Sequence, residues 1–181
     1  MEHYIIHTYL LSAIETSSIC DQFALRPTGS TTVALVFTNH HYDRLLETND
    51  YVRCLLIDFC KAFDTNCHIK LVEKLKWLHI PRFIINRIIY FLTHRTQSVV
   101  INGKQTLRLF ITRSIVRRSG LRPFLFLIYI LDLCPLSFIN TMCKYVDDQS
   151  QLCPQHSYVP LKEEYAHIQE WAHVNKLCIN I

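Results

Sequence analysis

Glycine is scarce in this sequence, and the motifs of several common functional sites are absent. Only three of the 181 residues are glycine, and no glycine-rich phosphate loop or Gly-x-Ser-x-Gly elbow occurs. The eight cysteines form no Cys-x-x-Cys pair, which argues against a zinc or dithiol site. Ten histidines are present, but no two of them flank a glutamate at the spacing of a metal hydrolase. Phosphate-loop enzymes, serine hydrolases and zinc proteins are therefore disfavoured.

Long apolar runs and secretion signals are also absent. The most apolar stretch, Phe124 to Leu131, is too short for a bilayer span, which takes ~20 residues, and it is predicted to be core. The N-terminal run YIIHTYLLSAI lacks a basic leader and makes a poor signal peptide. Cysteines within apolar runs, such as Cys54 and Cys143, predict buried free thiols in a reducing compartment. We therefore expect an intracellular protein, nuclear or cytoplasmic, that does not associate with membranes.

Apolar residues are abundant instead. Hydrophobic residues make up 50% of the chain and aromatic residues 12%, which predicts an ordered domain rather than a disordered tail. The length is that of one ordinary domain, or of a piece of a larger protein. The net charge of +4 permits nucleic-acid binding without requiring it.

The pattern of apolar residues predicts an α+β fold, in which an antiparallel sheet carries helices on one face. The run Cys54-Leu55-Leu56-Ile57 predicts a strand over 51–59 that is buried on both faces in the middle of the domain. Asn102-Gly103 predicts a hairpin of two short strands. The other predicted elements are helices over 30–50, 71–78, 81–89, 119–133 and 158–176, and strands over 138–145 and 149–153.

Three aspartates are candidates for a shared site at one end of this sheet. Asp58 lies where the apolar strand ends, and Asp147 and Asp148 lie between the last two predicted strands. If these strands are neighbours, three carboxylates converge, and carboxylate oxygens are the ligands that Mg²⁺ prefers. Two such ions held roughly 4 Å apart can activate an attacking hydroxyl and stabilise a leaving pyrophosphate, which is the chemistry of nucleotidyl transfer.

Each aspartate also has a simpler interpretation. Asp58 can start a turn or cap the next helix. The pair Asp147-Asp148 can form an ordinary polar hairpin turn, although adjacent carboxylates repel and such turns prefer Asn-Gly or Asp-Gly. The order of the two motifs, with apolar strands beside both, favours the functional interpretation.

The segments around these aspartates resemble the reverse transcriptases of non-LTR, LINE-type (jockey-like) retrotransposons. The stretch DFCKAFD, from Asp58 to Asp64, is similar to the first palm motif of that family, and YVDD, from Tyr145 to Asp148, resembles the second, which is more usually spelled FADD. Further similarity in the same order covers most of the chain, at 22–27, 30–32, 102–103, 125–133, Trp171 and 175–177.

The resemblance implies an RNA-directed DNA polymerase acting on an RNA template, a DNA primer and deoxynucleoside triphosphates. Residues 1–50 are then part of the fingers and 51–181 the palm, with the thumb and endonuclease outside these residues. Asp58, Asp147 and Asp148 are implied to be the catalytic residues and the ligands of two Mg²⁺ ions. Phe63 and Tyr145 are implied to lie at the nucleotide, although Phe63 is equally compatible with an ordinary core position.

One family motif is poorly preserved. The family pattern Gly-Val-Pro-Gln-Gly-Ser-x-Leu-Gly-Pro aligns with residues 114–123, and three of its glycine positions are occupied by Ser114, Arg118 and Arg122. A side chain at a position of positive φ is strained, and it blocks close approach of the backbone to a ligand. We therefore expect a partly degraded polymerase with weak activity or none.

Several arginines are candidate contacts to nucleic acid. Arg26 lies in the stretch similar to the fingers, and Arg117 and Arg118 lie in the altered glycine motif, where arginines can bind phosphate. A solvated basic loop is the simpler interpretation of that motif. The alternatives to a polymerase are a non-catalytic nucleic-acid-binding remnant and a decayed product without function.

Overall fold

The computed structural model describes residues 2–15, 21–24, 29–93, 95–115 and 119–180. The chain divides into a helical unit, residues 1–17 and 63–129, and a sheet unit, residues 18–62 and 130–181. No helix among the described residues is long and apolar enough to cross a membrane. The elements in chain order are α1 (Glu2–Ile5), a π-helical segment (Ile6–Leu10), α2 (Leu11–Glu15), α3 (Thr31–Leu46), β1 (Val52–Asp58), α4 (Ala62–Thr65), α5 (His68–Trp77), α6 (Arg82–Leu92), β2 (Thr96–Gln97), β3 (Val100–Ile101), β4 (Lys104–Gln105), β5 (Leu109–Phe110), α7 (Leu121–Tyr129), β6 (Thr141–Tyr145), β7 (Asp148–Pro154) and α8 (Leu161–Val174).

The helical unit has its core around α7. Leu125, Phe126 and Ile128 of this helix are fully buried, which confirms that the most apolar stretch of the sequence is core. Helix α5 packs against both α6 and α7. Helix α6 begins directly after Pro81, as predicted, because proline is tolerated at a helix start but not inside it. Helix α7 ends at Tyr129, four residues before the predicted end.

The predicted hairpin is confirmed at Asn102-Gly103. These two residues have φ values of 50° and 77°, the left-handed conformation that a two-residue turn of type I′ requires at both positions. The turn joins β3 to β4, with Ile101 opposite Lys104. A second short ladder pairs β2 with β5 further from the turn. The hairpin therefore consists of two separate two-residue ladders.

The sheet unit contains an antiparallel three-stranded sheet in the order β1-β7-β6. Helix α3 packs on this sheet, with Ala34 in a buried cluster with Cys143 of β6. Ser30 begins the helix as predicted, because its backbone is extended and its hydroxyl accepts a 3.1 Å hydrogen bond from the Val33 N–H. Helix α8 contacts β1. The α+β architecture with an antiparallel sheet and packed helices is thus confirmed.

Strand β1 is not the buried central strand that its sequence predicts. It lies at an edge of the described sheet, and Cys54 and Leu56 are exposed, with 75% of the Leu56 surface accessible. The centre is taken by β7, which pairs with both β1 and β6 although it carries Gln149 and Gln151. An apolar run on both faces therefore predicted the strand but not its place in the sheet.

The prediction of buried thiols is only partly right. Cys143 and Cys153 are buried, whereas Cys54, Cys134 and Cys178 are exposed. The seven cysteines within the described ranges are all free.

Candidate active site

The sheet register brings the three candidate aspartates to one end of the sheet unit. Asp58 is the last residue of β1 and lies directly opposite Asp148, the first residue of β7. Asp148 also lies opposite Tyr145, the last residue of β6, so that Val146 and Asp147 form the turn between the two strands. The backbone positions of three aspartates from two separate motifs therefore lie near one another where β1 and β6 end and β7 begins.

The turn that carries Asp147 has an unusual backbone. Val146 has φ 57°, a left-handed conformation that costs a β-branched residue roughly 1–3 kcal/mol. A two-residue hairpin turn of this kind normally has glycine at its first position. Two glutamines support the turn here: Gln22 Oε1 accepts a 3.4 Å hydrogen bond from the Val146 N–H, and Gln149 Nε2 donates to the Val146 carbonyl at 3.2 Å. Strain held by its surroundings in this way is typical of functional sites.

The electrostatics of the turn reflect the convergence of the carboxylates. Partial desolvation, followed by the charges of Asp147 and Asp58, raises the pKa of the Asp148 carboxyl above its ordinary value. Bringing like charges together is unfavourable, and a bound divalent cation would offset the repulsion. The donor set of three carboxylates is the one that Mg²⁺ takes. The side chains are not gathered around an ion, however: within the described ranges no three His, Cys, Asp or Glu side chains are grouped as a metal site.

Asn180 is a neighbour of the triad that sequence reasoning missed. Its side-chain Nδ2 donates a 3.0 Å hydrogen bond to Asp58 Oδ2, and its backbone N–H donates to the Asp58 carbonyl at 2.8 Å. Asn180 is 122 residues from Asp58 in the chain. The sequence offers one signal for it, since Asn180 follows closely on the Asn175-Lys176-Leu177 stretch, but nothing in the composition shows which aspartate it would reach.

Strand β6 is anchored beside the triad by the short segment 21–24. Lys144 is buried, and its Nζ lies 2.9 Å from Asp21 Oδ2. The backbone continues the contact, with the Lys144 N–H donating to the Asp21 carbonyl at 2.7 Å and the Phe23 N–H donating to the Lys144 carbonyl at 3.0 Å. Tyr145, the predicted nucleotide contact, is half-buried against the cluster that includes Phe23 and Cys143. Because these contacts hold β6 in place, they also hold the hairpin turn that follows it.

Phe63, the other predicted nucleotide contact, belongs to the helical unit. Its ring lies 4.8 Å from the ring of Phe126, and the Arg122 guanidinium sits over it, 4.8 Å from its centroid. Arg122 Nη2 also pairs with Asp64 Oδ1 at 3.1 Å. Arg122, which stands where the resembled pattern has glycine, thus contacts both Phe63 and Asp64 of the DFCKAFD stretch.

In the loop before α7, Ser114 stands at the first position where the resembled pattern has glycine. Ser114 has φ 78°, in the region that favours glycine. The loop is held by hydrogen bonds, with the Ser114 N–H donating to the Asn66 carbonyl at 3.1 Å and the His68 ring nitrogen Nε2 lying 2.7 Å from the Ser114 carbonyl. The predicted phosphate contacts Arg26, Arg117 and Arg118 lie outside the described residues.

Comparison with known proteins gives structural likeness only. No protein-family model matches the chain, and no curated protein matches its sequence. Its fold is similar to that of telomerase from Candida tropicalis in complex with a TWJ fragment of telomeric RNA, with a TM-score of 0.67 at 11% identity over 98% of this chain and 33% of that one. The apo Candida tropicalis enzyme truncated from its C-terminal domain gives a TM-score of 0.65 at 13% identity, over 98% and 40%.

Telomerase from Candida albicans, also in complex with a TWJ fragment, gives a TM-score of 0.66 at 11% identity, over 94% of this chain and 33% of that one. The chain thus spans between a third and two fifths of these telomerase chains. Telomerase is a reverse transcriptase, so the chain has a reverse-transcriptase-like polymerase fold.

Proposed function

We propose that this chain is the palm portion of an RNA-directed DNA polymerase, in which Asp58, Asp147 and Asp148 hold two Mg²⁺ ions for nucleotidyl transfer. The observation that supports this most directly is the register of the sheet unit, which sets Asp58 opposite Asp148 and places Asp147 in the adjoining turn. The left-handed Val146 and the raised pKa of Asp148 also support the proposal, because strained backbone and perturbed pKa values are common at functional sites.

Different residues of the chain would have different roles in such a site. The three carboxylates would hold the ions; Gln22 and Gln149 support the turn that presents Asp147, and the Lys144–Asp21 pair holds β6. Bound divalent ions supply two effects, a lower pKa for the attacking primer hydroxyl and stabilisation of the leaving pyrophosphate. Phe63 and Tyr145 are proposed to contact the deoxynucleoside triphosphate, and an RNA template with a DNA primer to be the nucleic-acid partners.

The origin of the chain is proposed from its motifs. DFCKAFD and YVDD, in this order and with the other similar stretches between and around them, favour descent from a non-LTR retrotransposon. The telomerase likeness is compatible with this origin, because it reports a fold that reverse transcriptases share.

Activity is expected to be weak. Two of the three altered glycine positions lie among the described residues, and the side chain at each is unfavourable for nucleotide binding. Ser114 is strained at φ 78°. Arg122 covers the face of Phe63 and pairs with Asp64. A nucleotide approaching Phe63 would have to displace an arginine held by both a ring and a carboxylate.

Primer extension tests the proposal. The chain should extend a DNA primer on an RNA template weakly and only with Mg²⁺ or Mn²⁺, and Asp147→Asn should lower the rate at least about a hundredfold by removing a metal ligand. The double variant Ser114→Gly/Arg122→Gly should increase extension, because both changes restore the family glycines. Extension that survives Asp147→Asn would contradict the assignment of the triad, and processive synthesis by the unmodified chain would contradict the expected loss of activity.

A second candidate function is nucleic-acid binding without catalysis. It is favoured by a cleft of about 700 Å³ in the helical unit that is lined by Arg95 and Arg113. Two arginines at one concave surface are suited to phosphate groups. Fluorescence anisotropy with labelled RNA measures this: Arg95→Ala/Arg113→Ala should weaken binding and reduce its salt dependence, whereas Arg108→Ala, on the exposed hairpin, should have little effect. Binding unchanged by EDTA, with no extension under any condition, would favour this candidate over the polymerase.

A further inference from the structure

The chain reverses direction after α8, and the reversal delivers residues 178–180 to the end of β1. The Leu177 N–H donates to the Ala172 carbonyl at 2.8 Å and the Lys176 N–H to the His173 carbonyl at 3.1 Å. Lys176 has φ 60°, so this is a Schellman motif with a lysine in the position that usually carries glycine. Leu177 is buried beyond it, which fixes the path of the residues that follow.

Residues 178–180 pair with residues 58–60 in antiparallel fashion. Phe59 lies opposite Ile179, the Cys60 N–H donates to the Cys178 carbonyl at 2.8 Å, and the Asn180 N–H donates to the Asp58 carbonyl at 2.8 Å. Asp58 therefore has a strand partner in β7 and a backbone partner in this segment. Its main chain cannot move away from the triad without breaking both.

The side chain of Asn180 makes two further contacts with residues 58–60. Its Nδ2 donates to Asp58 Oδ2 at 3.0 Å, and its Oδ1 accepts a 3.3 Å hydrogen bond from Cys60 Sγ. Both ends of the amide are thus in use, which orients the group with its donor toward the carboxylate. Within the described part of the chain, Asn180 is the only hydrogen-bond partner of the Asp58 carboxylate.

We propose that Asn180 is a positioning residue for the metal site: its amide fixes Oδ2 of Asp58 and thereby presents Oδ1 toward the ions held with Asp147 and Asp148. This inference rests on the proposed function, since it requires that Asp58 bind a metal. A carboxylate held by one hydrogen bond loses less rotational freedom on binding an ion than one that is unrestrained. Because the amide is neutral, it orients the ligand without competing for the cation.

Mn²⁺ binding tests the inference, followed by electron paramagnetic resonance of the free ion with the full chain. Asn180→Ala removes the amide and should weaken Mn²⁺ affinity about tenfold or more, the usual effect of losing a partner of a metal ligand. Asn180→Gln retains an amide donor and should recover part of the affinity. The matched control is Asn49→Ala, which removes an amide that donates to the Leu45 carbonyl at 2.8 Å, just before the opposite end of β1. This control should leave Mn²⁺ affinity unchanged.

A second measurement separates the amide from the segment that carries it. Cys60 and Cys178 are directly opposite in the antiparallel pairing, where Cα atoms lie roughly 5.5 Å apart, within the range of a disulfide. Oxidation by oxidised glutathione forms the Cys60–Cys178 bond, with two thiols oxidised and one equivalent of glutathione disulfide reduced to two thiols. Peptide mapping identifies the linked pair. The disulfide consumes the Cys60 thiol that donates to Asn180 Oδ1, so this comparison tests the contact of Asn180 Nδ2 with Asp58 Oδ2 alone. If oxidised Asn180→Ala still binds Mn²⁺ about tenfold more weakly than the oxidised unmodified chain, that contact rather than the segment is responsible.

The outcomes separate the inference from the proposed function. Strong Mn²⁺ binding that Asp58→Asn weakens and Asn180→Ala does not would overturn the role of Asn180 and leave the triad intact. Equal affinities of the two oxidised chains would also overturn it, because the segment alone would then suffice. Absence of Mn²⁺ binding by the unmodified chain would overturn both the metal site and the role that depends on it.

Discussion

Replacement of Glu164 should destabilise the sheet unit more than any exposed substitution on the same helix. Glu164 is fully buried in the first turn of α8, and its carboxylate accepts hydrogen bonds from the Leu136 N–H at 3.0 Å, the Ser137 N–H at 3.2 Å and Asn140 Nδ2 at 2.6 Å. Hydrogen bonds to a charged group contribute about 1.5–3 kcal/mol each, less than additively. We expect Glu164→Ala to lower the free energy of unfolding by about 3–5 kcal/mol, a large part of the stability of an ordinary domain.

The pH dependence of stability follows from the same contacts. Burial alone would raise the pKa of the Glu164 carboxyl, but the hydrogen bonds from Leu136, Asn140 and Ser137 outweigh it and the pKa lies below its ordinary value. A lowered pKa in the folded state means that this stabilisation is present above the unfolded pKa and is lost as the pH falls through the folded pKa. Glu164→Gln should therefore be destabilised at pH 7 but differ little from the unmodified chain at low pH.

Urea unfolding followed by circular dichroism at pH 7 and near pH 3 measures both effects. Glu163→Ala is the matched control, because Glu163 is the exposed neighbour in the same helical turn and should change stability by less than about 0.5 kcal/mol. If Glu164→Ala and Glu163→Ala cost the same at pH 7, the hydrogen bonds of Glu164 do not hold the loop at 136–140. The reasoning from burial and contacts would then be refuted.

Three further predictions concern single positions. Ser114→Gly should raise the free energy of unfolding, measured in urea, by about 0.5–1 kcal/mol. The substitution relieves roughly 1–2 kcal/mol of strain at φ 78°, which exceeds the entropic cost of ordering a glycine. Thr112→Gly is the control and should lower the free energy of unfolding, because φ is not positive there. Burial raises the pKa of the Cys153 thiol to about 11, so at pH 9 iodoacetamide should label the exposed Cys134 and Cys178 well before Cys153, as peptide mapping would show; equal labelling would contradict the burial. Asp147→Asn should raise the melting temperature in EDTA, because it removes a like charge near Asp148, and a decrease would mean that the carboxylates do not repel.

Much of the fold was predictable because local signals and tertiary packing agree. Ser30 as a helix cap, Asn102-Gly103 as a hairpin turn and the buried run in α7 each act over a few residues, and all three are confirmed. The position of β1 at a sheet edge was not predictable, because the choice of central strand depends on which partners are available. The apolar run around Leu56 predicts a strand but does not indicate which strands pair with it.

The candidate site was also predictable only in part. The meeting of Asp58 with Asp148 follows once the strands are paired, because one register sets every opposite pair at once. Asn180 escaped prediction since its contact depends on the Schellman turn at Lys176, a non-glycine residue in a left-handed conformation that sequence patterns do not reveal. The contact of Arg122 with Phe63 and Asp64 was not predicted for a related reason: the resembled motif indicates only that arginine stands where that motif has glycine, and not which residues the arginine contacts.

The proposed metal binding and the proposed polymerisation should therefore be separable in this chain. The arrangement of Asp58, Asp147 and Asp148 depends on strand register, which many residues specify together, so we expect single substitutions elsewhere to disturb it little. The loop at 114–122 depends on individual positions, because Ser114 has a strained φ of 78° and Arg122 covers the ring of Phe63. If the proposed function is right, substitutions accumulating without selection for synthesis would therefore alter the loop at 114–122 before the three aspartates. Mn²⁺ binding that Asp147→Asn weakens, in a chain that extends primers poorly, is the combination this order of loss predicts, and efficient extension without measurable Mn²⁺ binding would contradict it.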